Sequence, residues 1–275
     1  MTASSDVMFS AANVELSMAT YADSLFRSIK VAPMAEWRPG GLGPVVCVGN
    51  GPSLTPEDLT EVQLLNLPSF GCNYINRIYD KTVWRPTYWV ATELLDSRWG
   101  AWHAAQGYEC YMNANRLEKV EAFRSPVRFK GNENVHYLAV CPHQYRRWDS
   151  PDKPKRLHLP DVCLYGSSGH ASIQLAILFG YNPVVLLGHD CRLLPRPRPV
   201  HEDPRADPNH FDAGYDTEYD LTAGLAERWV RTWHDMHNLI AKEAEDLGVK
   251  ILNATRGGEL ESYDRIDFDR IQEVL

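Results

Sequence analysis

Apolar residues run without interruption at 45–48 (Val-Val-Cys-Val) and at 184–187 (Val-Val-Leu-Leu), and each run stops at a glycine, Gly49 or Gly188. A short continuous apolar run bounded by turn residues predicts a strand buried on both faces, as in a parallel sheet. "PSFGCNYI" (68–75), "PTYWVAT" (86–92) and "GYECYMN" (107–113) predict further strands, and "VKILNAT" (249–255) a final one. Helical spacing lies between them. Ser53 or Thr55 caps a helix carrying Glu57 and Asp58 in its first turn, where acidic side chains suit the helix dipole. Ser167 or Ser168 caps a second, running through Ile173, Leu175, Ala176, Ile177 and Phe179 to a stop at Gly180. It is apolar nearly all round, which places it against the centre of a sheet. Leu225, Trp229, Trp233, Met236, Ile240, Ala244 and Leu247 recur at three- and four-residue steps, a long helix ended by Gly248. Residues 96–106 also have helical spacing.

Strands alternating with helices predict an α/β fold: a Rossmann-like, mostly parallel sheet flanked by helices. Residues 1–40 read as an N-terminal arm, amphipathic over 14–30 and broken by "WRPGGLGP", that packs on the body or on a second subunit of a homo-oligomer. The body spans 41–275. Within it, 125–160 carries no clear periodicity. Residues 191–222 hold five prolines and seven acidic residues between two well-marked elements. A polar loop of that length is expected to be a lid over an active site.

Charge and composition narrow the function. The chain has 275 residues and a net charge of −8. A broad basic surface for nucleic acid is not signalled. Cys47, Cys72, Cys110, Cys141, Cys163 and Cys191 are scattered without close pairs, which reads as buried reduced thiols rather than a disulfide frame or zinc site. The first residues lack a signal-peptide pattern, and no stretch reaches the ~20 apolar residues of a membrane span. The expectation is a cytoplasmic protein without a membrane span.

In open α/β sheets ligands bind at the carboxyl ends of strands. Here those ends carry Gly49-Asn50-Gly51-Pro52-Ser53, Cys72-Asn73, Thr92-Glu93, Gly188-His189-Asp190 and Asn253-Ala254-Thr255. Gly49 and Gly51 let a backbone approach a phosphate closely, and Asn50 offers both a donor and an acceptor; the turn is also compatible with a tight strand–helix connection and no ligand. It matches neither GxGxxG nor GxxxxGK[ST]. Ser167-Ser168-Gly169 reads as a second cradle or as an ordinary N-cap. Asp190 reads as a ribose or metal contact or as a cap, and His189 as a site or core residue. His210, inside the lid, is a candidate general base or a solvated histidine. Glu93 and Asp96 are candidate carboxylates for a metal or a base.

Taken in order, "VVCVGNGPSL", "FGCNYI", "SSGHASIQLAILFGYNPVVLLGHD", "NHF" and "LGVKILNAT" resemble a known pattern over roughly residues 45–260. It is similar to that of the bacterial sialyltransferases acting on lipo-oligosaccharide, to the related motility accessory factors that glycosylate flagellin, and to the archaeal 6-hydroxymethylpterin diphosphokinase group. The resemblance implies that Asn50 and Ser53 contact the phosphate and ribose of a nucleotide donor. It places Asn73 at the base or sugar, Ser168 and Gly169 at the donor sugar or phosphate, and Asp190 near the ribose, with Ser167 beside them as a further candidate for donor binding. Tyr215 or Tyr219 would stabilise the departing phosphate. The family's lid reads His-Tyr-x-Gly-His, whereas this chain has His210-Phe211-Asp212-Ala213-Gly214, so the base role passes to His210 or to Asp212. Tyr165 stands where the sialyltransferases carry an Arg.

The resulting expectation is a metal-independent glycosyltransferase that moves a sugar from a nucleotide-sugar co-substrate to a hydroxyl of a glycan or protein acceptor. Two other readings remain open: a Mg²⁺-dependent diphosphokinase or nucleotide phosphotransferase, and a non-catalytic nucleotide-binding protein.

Overall fold

The computed structural model describes residues 41–92, 103, 106–113, 134–138, 162–163, 166–195, 207–212, 214–215 and 221–275. The arm at 1–40, Glu93, Asp96, most of the helical stretch at 96–106, Tyr165 and Tyr219 lie outside them. Eight strands form one sheet: β1 Val45–Val48, β2 Ser69–Cys72, β3 Tyr88–Ala91, β4 Glu109–Asn113, β5 Val135–Leu138, β6 Val184–Leu187, β7 Ile251–Asn253 and β8 Asp264–Arg265. Every pairing is parallel, in the order β5-β4-β3-β2-β1-β6-β7-β8. The two-residue β8 escaped the sequence reading because Asp264 and Arg265 show no apolar pattern and both are exposed.

The order reverses between β1 and β6. Chain segments leaving these two neighbours diverge, and a crevice opens at their carboxyl ends. Successive residues of β1 face opposite sides. Val45 and Cys47 join one cluster with Val184, Leu186 and Ile173; Val46 and Val48 join the other with Val185, Leu187 and Leu59. That two-sided burial is why both strands read as unbroken apolar runs.

Helix α1 (Pro56–Leu64) is capped by Thr55, whose side chain accepts from the Asp58 amide at 3.1 Å. Ser53 is therefore free for another partner. Helix α2 (Ser168–Phe179) lies across β1, β2 and β3 with every residue but Phe179 buried, and ends at Gly180 in the left-handed conformation. Helix α3 (Ala223–Asp246) packs on α2 through a stripe including Ala226, Met236, His237, Ile240 and Ala244. Arg256, after β7, fastens the sheet to α1 and the C-terminal turn: it donates to buried Asp58 at 2.9–3.2 Å and to Asp269 at 2.6 Å. Among the described residues no helix is long and apolar enough to cross a membrane, and Cys47, Cys72, Cys110, Cys163 and Cys191 are buried and not joined in disulfides.

Candidate functional site

A cavity of ≈ 160 Å³ lies at the β1–β6 switch point. Gly49, Asn50 and Gly51 leave β1 to form one wall, and Gly188 to Leu193 leave β6 to form the next. Cys72 ends β2 and Asn73 follows it, Ser167, Gly169 and His170 open α2, Trp233 and His237 lie on α3, and Asn209, His210 and Tyr215 come from the segment between β6 and α3. Most of the residues singled out by sequence thus meet in one place, although they span more than 160 positions.

The glycines have an internal reason to be there. A Cβ on Gly49 would strike the Gly188 carbonyl, and one on Gly51 would lie 2.6 Å from the Asp190 carboxyl carbon. The amides of both are also committed, Gly49 to the Leu187 carbonyl at 2.8 Å and Gly51 to that of Gly188 at 2.9 Å. The turn after β1 is pressed onto the turn after β6, and only glycine allows that spacing. Positive φ falls elsewhere, at Asn73 (50°), Gly188 (70°) and Cys191 (49°).

Asn50 bridges three elements. Its Nδ2 donates to the Cys72 carbonyl at 3.0 Å and to the Tyr215 hydroxyl at 2.7 Å, while its main-chain carbonyl accepts from the Phe211 amide at 3.1 Å. Both amide hydrogens are used, and Oδ1 is buried with no partner. Tyr215 accepts a second bond from the Tyr74 amide at 3.3 Å. With its oxygen accepting twice, its own proton remains available for donation. Burial pushes the Tyr215 phenol well above its ordinary range, so it stays a donor.

Three of the sequence-derived candidates stand outside the cavity wall. Ser53 Oγ donates to Asp190 Oδ2 at 2.8 Å and braces it from the α1 side. Ser168 is buried; its Oγ donates to Asn73 Oδ1 at 2.7 Å and accepts from the Thr92 amide at 3.0 Å, which fixes Asn73 rather than facing a ligand. Asp212 lies in ion pairs with Arg77 at 3.4 Å and Lys81 at 4.0 Å instead of facing the cavity. Asp190 itself is buried, and desolvation raises its carboxyl above the usual range against the opposing hydrogen bonds from Ser53.

His210 Nδ1 lies 2.7 Å from Asp207 Oδ2, and its ring stacks on that of Tyr215 at 4.0 Å and 9°. Asp207 was not among the sequence candidates. Neither were His170 and His237, which form a buried floor with His189. The ring centroids are 4.2 Å apart for His170–His237 and 5.8 Å for His189–His237. His170 Nδ1 accepts from the Ser167 amide at 2.9 Å while Nε2 lies 3.0 Å from the Trp233 carbonyl. The capping position of Ser167 was the signal that could have found His170: it occupies the third helical position, where a side chain reaches back to the cap amide. Among the described residues no group of His, Cys, Asp and Glu is arranged to hold a metal ion.

Burial lowers His170 to about 4 and His189 to about 3, with His237 also well below the ordinary value. All three are neutral in the folded state. The unfolded chain takes up protons on them as pH falls through about 6.5, and the folded chain does not. Their stabilising contribution is therefore complete above that value and declines as the pH drops toward about 4. Each contributes a slope of about 1.4 kcal/mol per pH unit below the ordinary histidine range. Asp190 acts in the opposite sense, since its raised value favours the folded state as pH falls. Urea midpoints at pH 7.5, 6 and 5 are expected to fall steeply; a flat profile would mean that the imidazoles are solvated.

No family model matches the chain, and no curated protein matches it. Among solved structures it is similar to the MAf glycosyltransferase from Magnetospirillum magneticum AMB-1, with 17% identity and a TM-score of 0.44. The alignment covers 83% of this chain and 34% of that one, so this chain spans about a third of that protein's length.

Proposed function

We propose that the chain is a glycosyltransferase that binds a nucleotide-activated sugar across the β1–β6 switch point and passes the sugar to a hydroxyl acceptor. The observation that carries this reading is the convergence, in one cavity, of the Asn50 turn with His210 and Tyr215. His210 Nε2 has no partner among the described residues. In this reading the acceptor oxygen attacks the anomeric carbon as the bond to the donor phosphate breaks. The hydroxyl proton passes to His210 Nε2. The Tyr215 hydroxyl donates to the departing phosphate oxygen, and Arg192 supplies a positive charge at the cavity edge. Donors aimed at developing negative charge are the usual source of the largest catalytic gain. No step requires a metal ion.

A thermal-shift series with nucleotides and nucleotide-sugars, with and without Mg²⁺, tests the reading. Ligand at 100 times Kd stabilises the native state by about 2.7 kcal/mol, enough to raise the midpoint by several degrees. A metal-independent shift with a nucleotide-sugar is expected. It should be lost in Asn50→Ala, each protein being compared with its own unliganded midpoint. A shift with ATP only when Mg²⁺ is present would instead favour phosphoryl transfer, and no shift with any nucleotide would remove the transferase reading.

A further inference from the structure

We propose that Asp207 is the positioning residue of this site: it holds the proton of His210 on Nδ1 and leaves Nε2 as a bare acceptor toward the cavity. The proposal rests on the transferase reading for its purpose, but not for its geometry.

The Asp207 carboxylate is almost wholly enclosed, its side chain 1% exposed against 24% for His210. Its two oxygens do different work. Oδ1 accepts from the Asn209 amide at 2.9 Å, closing a short turn, and Oδ2 faces His210 Nδ1 at 2.7 Å. An ionised carboxylate only accepts, so the imidazole nitrogen opposite it must carry the hydrogen, and in the neutral ring the other nitrogen is then unprotonated. The remaining freedoms of the ring are also removed. Tyr215 stacks on its face, and the Tyr215 hydroxyl is tied to Asn50 and to the Tyr74 amide. Asn209 anchors the segment from the other side, donating to the Leu194 carbonyl at 3.0 Å and accepting from its amide at 2.7 Å. Arg77 and Lys81 are engaged with Asp212, two residues beyond His210.

A turn-forming Asp needs only one oxygen. The second oxygen, buried and aimed at Nδ1, is what a purely local role leaves unexplained. When the ring accepts the acceptor's proton at Nε2 it becomes a cation, and the Asp207 carboxylate lies against that charge. A side chain that fixes a histidine tautomer and then stabilises the imidazolium serves the same purpose in hydrolytic triads.

Asp207→Asn separates the two roles. The Asn carbonyl can still accept from the Asn209 amide, keeping the turn. Its amide group then faces Nδ1 as a donor and drives the ring proton to Nε2. Long-range ¹H–¹⁵N correlation spectra of the whole chain at pH 8, with His210 assigned by its disappearance in His210→Gln, read the tautomer with no donor or acceptor present. The expected wild-type pattern is a protonated Nδ1 and a bare Nε2, with the two resonance types exchanged in Asp207→Asn. A protonated Nε2 in the wild type, or an unchanged pattern in a folded Asp207→Asn, overturns the proposal. Tautomer exchange in a chain that binds no nucleotide-sugar would uphold the positioning role while removing the transferase reading, so the two failures are distinguishable.

Discussion

Replacing His210 by Gln is expected to lower turnover with a nucleotide-sugar by about 10²–10⁴-fold, the usual contribution of a positioned general base. Donor binding should survive. Gln can still accept and donate hydrogen bonds, but it cannot hold a proton near neutral pH. In the proposed reading the donor's other contacts come from the β1 and β6 turns and the start of α2, which line the cavity and which the substitution does not touch. Initial rates at saturating donor, combined with the thermal shift of the variant, separate the loss of chemistry from loss of binding. A rate within a few-fold of wild type would place the base elsewhere. The alternative acceptor on the cavity wall is Asp190, the buried carboxylate whose affinity for a proton is raised by desolvation. Full activity in His210→Gln with none in Asp190→Asn would move the base from His210 to the end of β6.

Much of this site was legible because switch-point geometry converts strand order into location. β1 and β6 read as unbroken apolar runs since each is buried on both faces, and the residues that follow them were bound to lie at one end of the sheet. Asn50 and Asp190 were placed on the cavity wall that way, and Asn73 by the same rule at the end of β2. The glycines were singled out with two readings open. They read either as space for a ligand or as a tight strand–helix turn, and the structure shows that they make space for the turn after β6. Ser53 and Ser168 illustrate the limit of the method. A serine beside a helix start looks the same in sequence whether it faces ligand, caps the helix or braces a neighbour, and here both brace a site residue. Asp207 was hidden in an acidic, proline-rich stretch where one carboxylate more carried no signal. His237 was hidden in the long helix, whose apolar positions at Trp233, Met236 and Ile240 define a stripe without revealing that an imidazole shares it.

The second large effect concerns stability. Gly49→Ala is expected to cost about 3 kcal/mol, the upper part of the range for overpacking a tight interior. A Cβ at this position would meet the Gly188 carbonyl oxygen, with the carbonyl carbon at 2.9 Å and the His189 ring at 3.0 Å. The obstruction is main chain, which cannot rotate away as a side-chain tip can. Nor can the two turns separate easily. β1 and β6 are paired along their whole length from Val45 to Val48, and the Gly49 amide continues that ladder to the Leu187 carbonyl at 2.8 Å. Strain at this contact therefore spreads to the carboxyl ends of both central strands, where the cavity walls begin. Gly224→Ala supplies the opposite case. It lies in the first turn of α3 with nothing near the added methyl, and should stabilise by about 0.5 kcal/mol through reduced freedom of the unfolded chain. Urea denaturation of the two variants against wild type measures both. If Gly49→Ala lost no more than about 1 kcal/mol, the turns would have parted without breaking the sheet, and the close contact would not be what requires glycine here. A loss of the expected size, accompanied by loss of the nucleotide-sugar thermal shift, would tie the packing of the two central strands directly to the binding site that their ends create.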